Sequence, residues 1–164
     1  MKNFSISDDG FTTIELIVVI VVVALLAAAM LPRLSLIQSV GDTGYRDTVS
    51  ASLAFARKSA IAQRRYVHVA LAANNLTFTV DYDVPENTNS GLGTHPLILP
   101  SRSSYCSAGS ANMICAPSGI SLVGPNTLDF TPLGQLSNGA AAVFTVTGQS
   151  SYVLTVEAET GYVH

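Results

Sequence analysis

The chain is 164 residues long, with 48% hydrophobic residues, 12% charged ones and a formal net charge of −3. That length allows one domain plus an appendage, and the sparse charge with a mean hydropathy of +0.40 leans toward a secreted or surface protein rather than a cytosolic enzyme. No basic residue lies beyond Arg102, so the C-terminal third offers no surface for the phosphate neutralisation that drives nucleic-acid binding.

The chain begins with a short polar segment bearing Lys2, Asp8 and Asp9. Gly10-Phe11-Thr12-Thr13-Ile14-Glu15 follows, and then an apolar run from Leu16 to Leu31. A spanning helix needs about 20 apolar residues; Phe11, Ile14 and Leu34 extend the run at its two ends. Pro32 comes next, and a proline within a helix removes a backbone hydrogen bond and bends the axis. A cleavable secretory signal would use Ala27-Ala28-Ala29, but its leading segment has one lysine against two aspartates. A plain single-span anchor is the other simple reading. Neither accounts for Glu15, because a carboxylate in the membrane costs about 2.5–3.5 kcal/mol or more and calls for a partner.

Gly10-Phe11-Thr12-Thr13-Ile14-Glu15-Leu16 resembles the type IV prepilin cleavage and methylation motif, and Pro32 falls where such proteins carry a helix-bending proline. The resemblance implies cleavage between Gly10 and Phe11 by a prepilin peptidase, with removal of residues 1–10. It also implies N-methylation of Phe11 and pairing of Glu15 with the terminal amine of a neighbouring subunit. Two charges that are each costly in lipid offset one another when the helices assemble, which makes the pair a register device.

Residues 11–34 are thus expected to form a transmembrane and assembly helix, and residues 35–65 the amphipathic second half of the same spine. Gly41-Asp42-Thr43-Gly44 is expected to interrupt it. From Tyr45 to about Gln63, Val49, Leu53, Ala56 and Ala60 recur at three- and four-residue steps, an apolar stripe suited to covering a sheet. Arg57-Lys58 and Arg64-Arg65 then fall near the helix C-terminus, where cations complement the helix dipole.

Beyond Arg65 the period changes to two. Tyr66–Leu71 and Leu76–Asp83 read as a hairpin around Asn74-Asn75. An irregular excursion follows, 84–118 at its widest, with a short strand expected at Leu97–Leu99. Ile120–Val123, Thr127–Phe130, Ala141–Thr147 and Tyr152–Glu157 are further strands between turn signals, and Tyr162-Val163 is expected to add a short pairing. Residues 66–164 therefore read as one β-rich domain. Cys106 and Cys115 stand in a Ser/Gly/Ala context without zinc-site spacing; after export they are expected to form a disulfide, and in a reducing compartment to stay as two thiols.

Chemistry is sparse. His68, His95 and His164 fall on a strand, in a loop and at the chain end, and no nucleophile elbow, HExxH or P-loop is present. No catalytic site, no cofactor and no dedicated metal site is expected. Asp81, Asp83 and Glu86 have oxygen ligands suited to calcium, but Pro85 and the missing glycine spoil an EF-hand, and a solvated strand end is the simpler reading.

The body adds to the resemblance. Phe55-Ala56-Arg57-x-x-Ala60 followed by Arg64-x-Tyr66-Val67 is similar to the GspH/FimT group of minor pilins and pseudopilins. Phe130-Thr131-Pro132-x-Gly134 resembles their F-x-P-x-G turn, and Glu157-x-Glu159-Thr160-Gly161-Tyr162-Val163 looks like minor pilins of the MSHA kind. The implied fold is α+β and pilin-like, a long N-terminal helical spine packed on a C-terminal antiparallel sheet domain. The implied function is structural: a minor subunit of a type IV pilus-like or type II secretion filament. Its partners would be other pilin or pseudopilin subunits, the prepilin peptidase and the inner membrane, with the C-terminal domain in the periplasm or on a surface pilus. The competing reading is a single-span envelope binding module whose excursion recognises a ligand.

Overall fold

A computed structural model describes residues 12–30, 33–82, 95–100, 103–106 and 111–164. Gly10, Phe11, Pro32, Asp83, Glu86 and Arg102 lie outside the described residues. The chain divides into two compact units, Met1–Ile37 and Gln38–His164.

In the first unit, α1 spans Thr13–Met30. Thr12 caps it, since the Glu15 N–H donates to the Thr12 side-chain oxygen at 3.3 Å and an N-cap hydroxyl satisfies one of the orphan donors of the first turn. Its 18 residues extend about 27 Å at 1.5 Å per residue, slightly less than a bilayer core of about 30 Å. No described helix is long and apolar enough to cross a membrane.

Helix α2 runs Arg33–Gln63 without a break, so the expected interruption at Gly41–Gly44 does not occur. Each glycine costs about 1 kcal/mol within a helix, but this segment is tied down by later parts of the chain. Backbone N–H groups of Gln149 and Ser150 donate to Asp42 Oδ2 at 2.7 and 3.0 Å, and the Thr43 and Tyr152 hydroxyls are 3.2 Å apart. The helix ends in a Schellman arrangement: Arg65 N–H reaches the Ala60 carbonyl, Arg64 N–H reaches the Ile61 carbonyl, and Arg64 adopts φ 52°. The last turn contains no basic residue. Arg65, just past the helix end, lies over the Tyr82 ring at 4.5 Å in a cation–π contact.

The described strands form two antiparallel sheets. β1 (Val67–Ala72), β2 (Asn75–Val80), β3 (His95–Pro96), β4 (Met113–Cys115) and β6 (Thr127–Phe130) make the first. In it β1 lies between β2 and β6, while β3 and β4 both pair with β2. β5 (Ser121–Val123), β7 (Ala142–Thr147) and β8 (Ser151–Val156) make the second, in the order β5-β7-β8. The β1–β2 turn is Ala73-Asn74, both at positive φ, as a two-residue hairpin turn of type I′ requires; it lies one residue earlier than the sequence suggests. Leu97 and Leu99 are not in a strand, yet both are buried.

One core serves the second unit. The helix stripe Tyr45, Val49, Leu53, Ala56 and Ala60 is buried with Phe78 and Phe130 of the first sheet and Phe144 and Leu154 of the second. Asn74 links these layers: the Tyr45 hydroxyl donates to its carbonyl and Leu122 N–H to its side-chain oxygen, both at 3.2 Å. Burial of Tyr45 raises its pKa to about 12.

Candidate assembly surface

Helix α1 has no polar face. Ile14, Leu16, Ile17, Val18, Val19, Ile20 and the residues from Val21 to Ala28 are all exposed, the large ones from 46% at Ile17 to 67% at Leu25. An amphipathic helix buries one stripe and wets the other, whereas a helix apolar on every side belongs in a large core or among lipids and other helices. Fully burying each Val, Leu or Ile is worth about 1.5–3 kcal/mol, so the bare helix carries a large unmet drive toward such surroundings.

Glu15 is the one acidic residue of its first turn. With Thr12 it forms the S/T-x-x-E spacing of a capping box, in which the acid faces the positive end of the helix dipole. This local role is independent of any assembly role. Gly10 and Phe11, the expected cleavage and methylation positions, and Pro32, the expected bend, lie outside the described residues.

In the second unit the loose sequence motifs meet in space. Gly134, of the F-x-P-x-G turn, has φ +83°, and a Cβ there would stand 2.7 Å from Ile61 Cδ1 and 3.3 Å from Arg57 Nε. A Cβ on Gly161 would collide with the Gly134 carbonyl oxygen and stand 3.2 Å from Phe130 Cε1. Arg57, Phe130, Gly134 and Gly161, drawn from three separate stretches, thus form one joint between helix, turn and C-terminal segment. Cys106 and Cys115 are disulfide-bonded.

The structure also assembles a cluster that sequence reasoning missed. His68 is buried on β1, its Nδ1 2.8 Å from Asp129 Oδ1 on β6 and its Nε2 3.8 Å from Asp81 Oδ2. Burial alone would lower the imidazole pKa. The hydrogen bond and charge of Asp129, joined by Asp81, outweigh it, and the pKa is raised above its ordinary value. Asp81 is therefore a buried member of this cluster, not a solvated strand end, while Asp83 and Glu86 lie outside the described residues. His68 and Asp129 are register partners, the signal that strand pairing would have supplied. His164 lies 3.6 Å from Glu157 and His95 stacks edge-on to Tyr82.

Two shallow cavities of about 350 and 250 Å³ share Gly41 and Pro117. The Tyr45 hydroxyl in the first is bonded to Asn74 and the Asp42 carboxylate in the second to the β7–β8 turn.

No protein-family model matches the sequence, and no curated protein matches it. Solved structures do. The type IV minor pilin FimU of Pseudomonas aeruginosa is similar in two crystal forms. Each has 16% identity over 74% of this chain, with TM-scores of 0.54 and 0.52 and coverage of 85% and 90% of the FimU chain. The minor pseudopilin EpsH from the Type 2 Secretion System of Vibrio cholerae is similar at TM-score 0.50 and 13% identity, over 77% of this chain and 94% of that one. At these identities the likeness is one of fold: the chain has the α+β, antiparallel, pilin-like fold of minor pilins and minor pseudopilins.

Proposed function

We propose that this chain is a minor structural subunit of a type IV pilus-like filament or a type II secretion pseudopilus. The observation that carries the reading is α1, apolar on every side with one carboxylate in its first turn, joined to a body with the fold of minor pilins. On this reading residues 11–34 hold the chain in the inner membrane before assembly, and the body lies in the periplasm. Prepilin peptidase cuts between Gly10 and Phe11, and the amine of Phe11 is methylated. Glu15 then meets the amine of a neighbour's first residue, so that two charges costly in lipid offset one another only when the subunits are in register. Apolar packing of α1 against neighbouring helices supplies affinity, and the body supplies contacts between subunits without catalysis.

Intact mass of the membrane-extracted protein tests the processing step: a mature chain starting at methylated Phe11 is expected, and one retaining Met1–Gly10 would overturn it. Glu15→Val is expected to leave membrane insertion intact while reducing recovery in sheared or purified filaments about tenfold, the equivalent of 1.4 kcal/mol per contact. Unchanged recovery would remove the pairing role of Glu15.

A further inference from the structure

The connection between β6 and β7 carries Asn138-Gly139, and residues 137–141 are exposed throughout. Gly139 has no side chain to shield its backbone nitrogen, and a Cβ added there would meet no atom within 4 Å. The Asn138 side chain folds back on the chain as an Asx turn, its Oδ1 accepting from the Ala140 N–H at 3.1 Å. That oxygen takes on negative charge when a nucleophile adds to the amide carbon, and a backbone N–H already aimed at it stabilises the charge. One bond opposes the addition. Gly139 N–H donates to the Leu136 carbonyl at 3.2 Å and must be freed first, as exposed turn bonds readily are.

The other described asparagines lack this combination. Asn74 precedes Asn75, where β2 begins, and Asn75 precedes the buried Leu76. Asn112 is held through its Nδ2, which donates to the Phe78 carbonyl at 3.0 Å. Asn126 precedes Thr127, the first residue of β6, whose branched side chain crowds its own nitrogen.

We propose that Asn138 is a site of spontaneous deamidation, with the Gly139 backbone nitrogen as nucleophile and water as the other reactant. The Gly139 nitrogen loses its proton to hydroxide and bonds to Asn138 Cγ. The bond from Cγ to Nδ2 then breaks, and Nδ2 takes a proton from water and leaves as ammonia. Water opens the resulting succinimide at either of its two carbonyls. One opening gives aspartate, and the other gives a β-linked aspartate whose main chain is one atom longer. Both products add one negative charge to a chain of formal net charge −3, in a stretch that holds none. The β-linked product also displaces the Gly139 N–H from the Leu136 carbonyl. The inference rests on the turn and does not depend on filament assembly.

The test incubates the full-length chain in detergent micelles at mildly alkaline pH and follows it by chymotryptic peptide mapping with mass spectrometry. The peptide bearing Asn138 is expected to gain the mass difference of oxygen replacing NH and to split into aspartate and β-linked forms. The rate should rise with hydroxide, because Gly139 must lose a proton before it attacks, while Asn74, Asn75, Asn112 and Asn126 stay intact. Gly139→Ala should slow the conversion about tenfold or more. Asn138→Gln, which keeps an amide but requires a larger ring, should abolish it. No conversion at Asn138, conversion in urea alone, earlier conversion at another described asparagine, or an unchanged rate in Gly139→Ala would each overturn the proposal.

Discussion

His68 holds its two neighbours best when it carries a proton. Its folded-state pKa is raised, so the stability from Asp129 and Asp81 is fully present below the unfolded value of about 6.5 and is lost as pH rises through the higher folded value. Urea denaturation of the full chain in micelles is therefore expected to show falling stability from pH 6 toward pH 8.5. Asp129→Asn should flatten that dependence and cost about 1–3 kcal/mol at pH 6; a variant with the wild-type pH slope would contradict it. The sequence placed His68 on a strand but not beside an acid, because Asp129 is 61 residues away and only sheet register unites them. Glu15 differs: its assembly role was expected from the motif around it, while its local contact with Thr12, three residues back, came only with the helix start.

At the level of elements, period was the reliable guide and length the limit. The 45–60 stripe of α2 and the strands β1, β2, β6, β7 and β8 were readable because each repeats its pattern over four residues or more. β4 was not foreseen, since Met113-Ile114-Cys115 is too short to alternate and stands among small polar residues. The continuity of α2 was hidden by Gly41 and Gly44, whose weak helix propensity is overruled by bonds from a hairpin more than a hundred residues later. Leu53 sits at the centre of this packing, fully buried. Leu53→Ala is expected to cost about 2–5 kcal/mol, readable as an earlier urea midpoint with an unchanged slope. The same exchange at exposed Ile61 should cost far less.

For the whole molecule, the pilin-like fold was expected from a seven-residue motif and three loose ones, and the solved structures bear it out. The disulfide belongs to this scale because it acts on the unfolded chain. Closing a loop with a sequence separation of 9 lowers the entropy of that ensemble by an amount worth about 2–3 kcal/mol. Replacing both cysteines with serine should lower stability by about that much, with no further loss on adding reductant, whereas reductant should destabilise the wild-type chain by the same amount.

The bond from Asp42 to the β7–β8 turn also has a consequence in time. Asp42 leaves the ribosome 107 residues before Gln149. At about 5–20 residues per second, synthesis separates the two by on the order of 5–20 s. For most of that interval neither sheet is complete over the apolar stripe of α2, since the first needs β6, which ends at Phe130, and the second needs β8, which begins at Ser151; all the while the carboxylate has no turn to hold. The body of this protein closes late, around an acid made early, and a chain arrested before its last hairpin would present an unfinished core to whatever receives it.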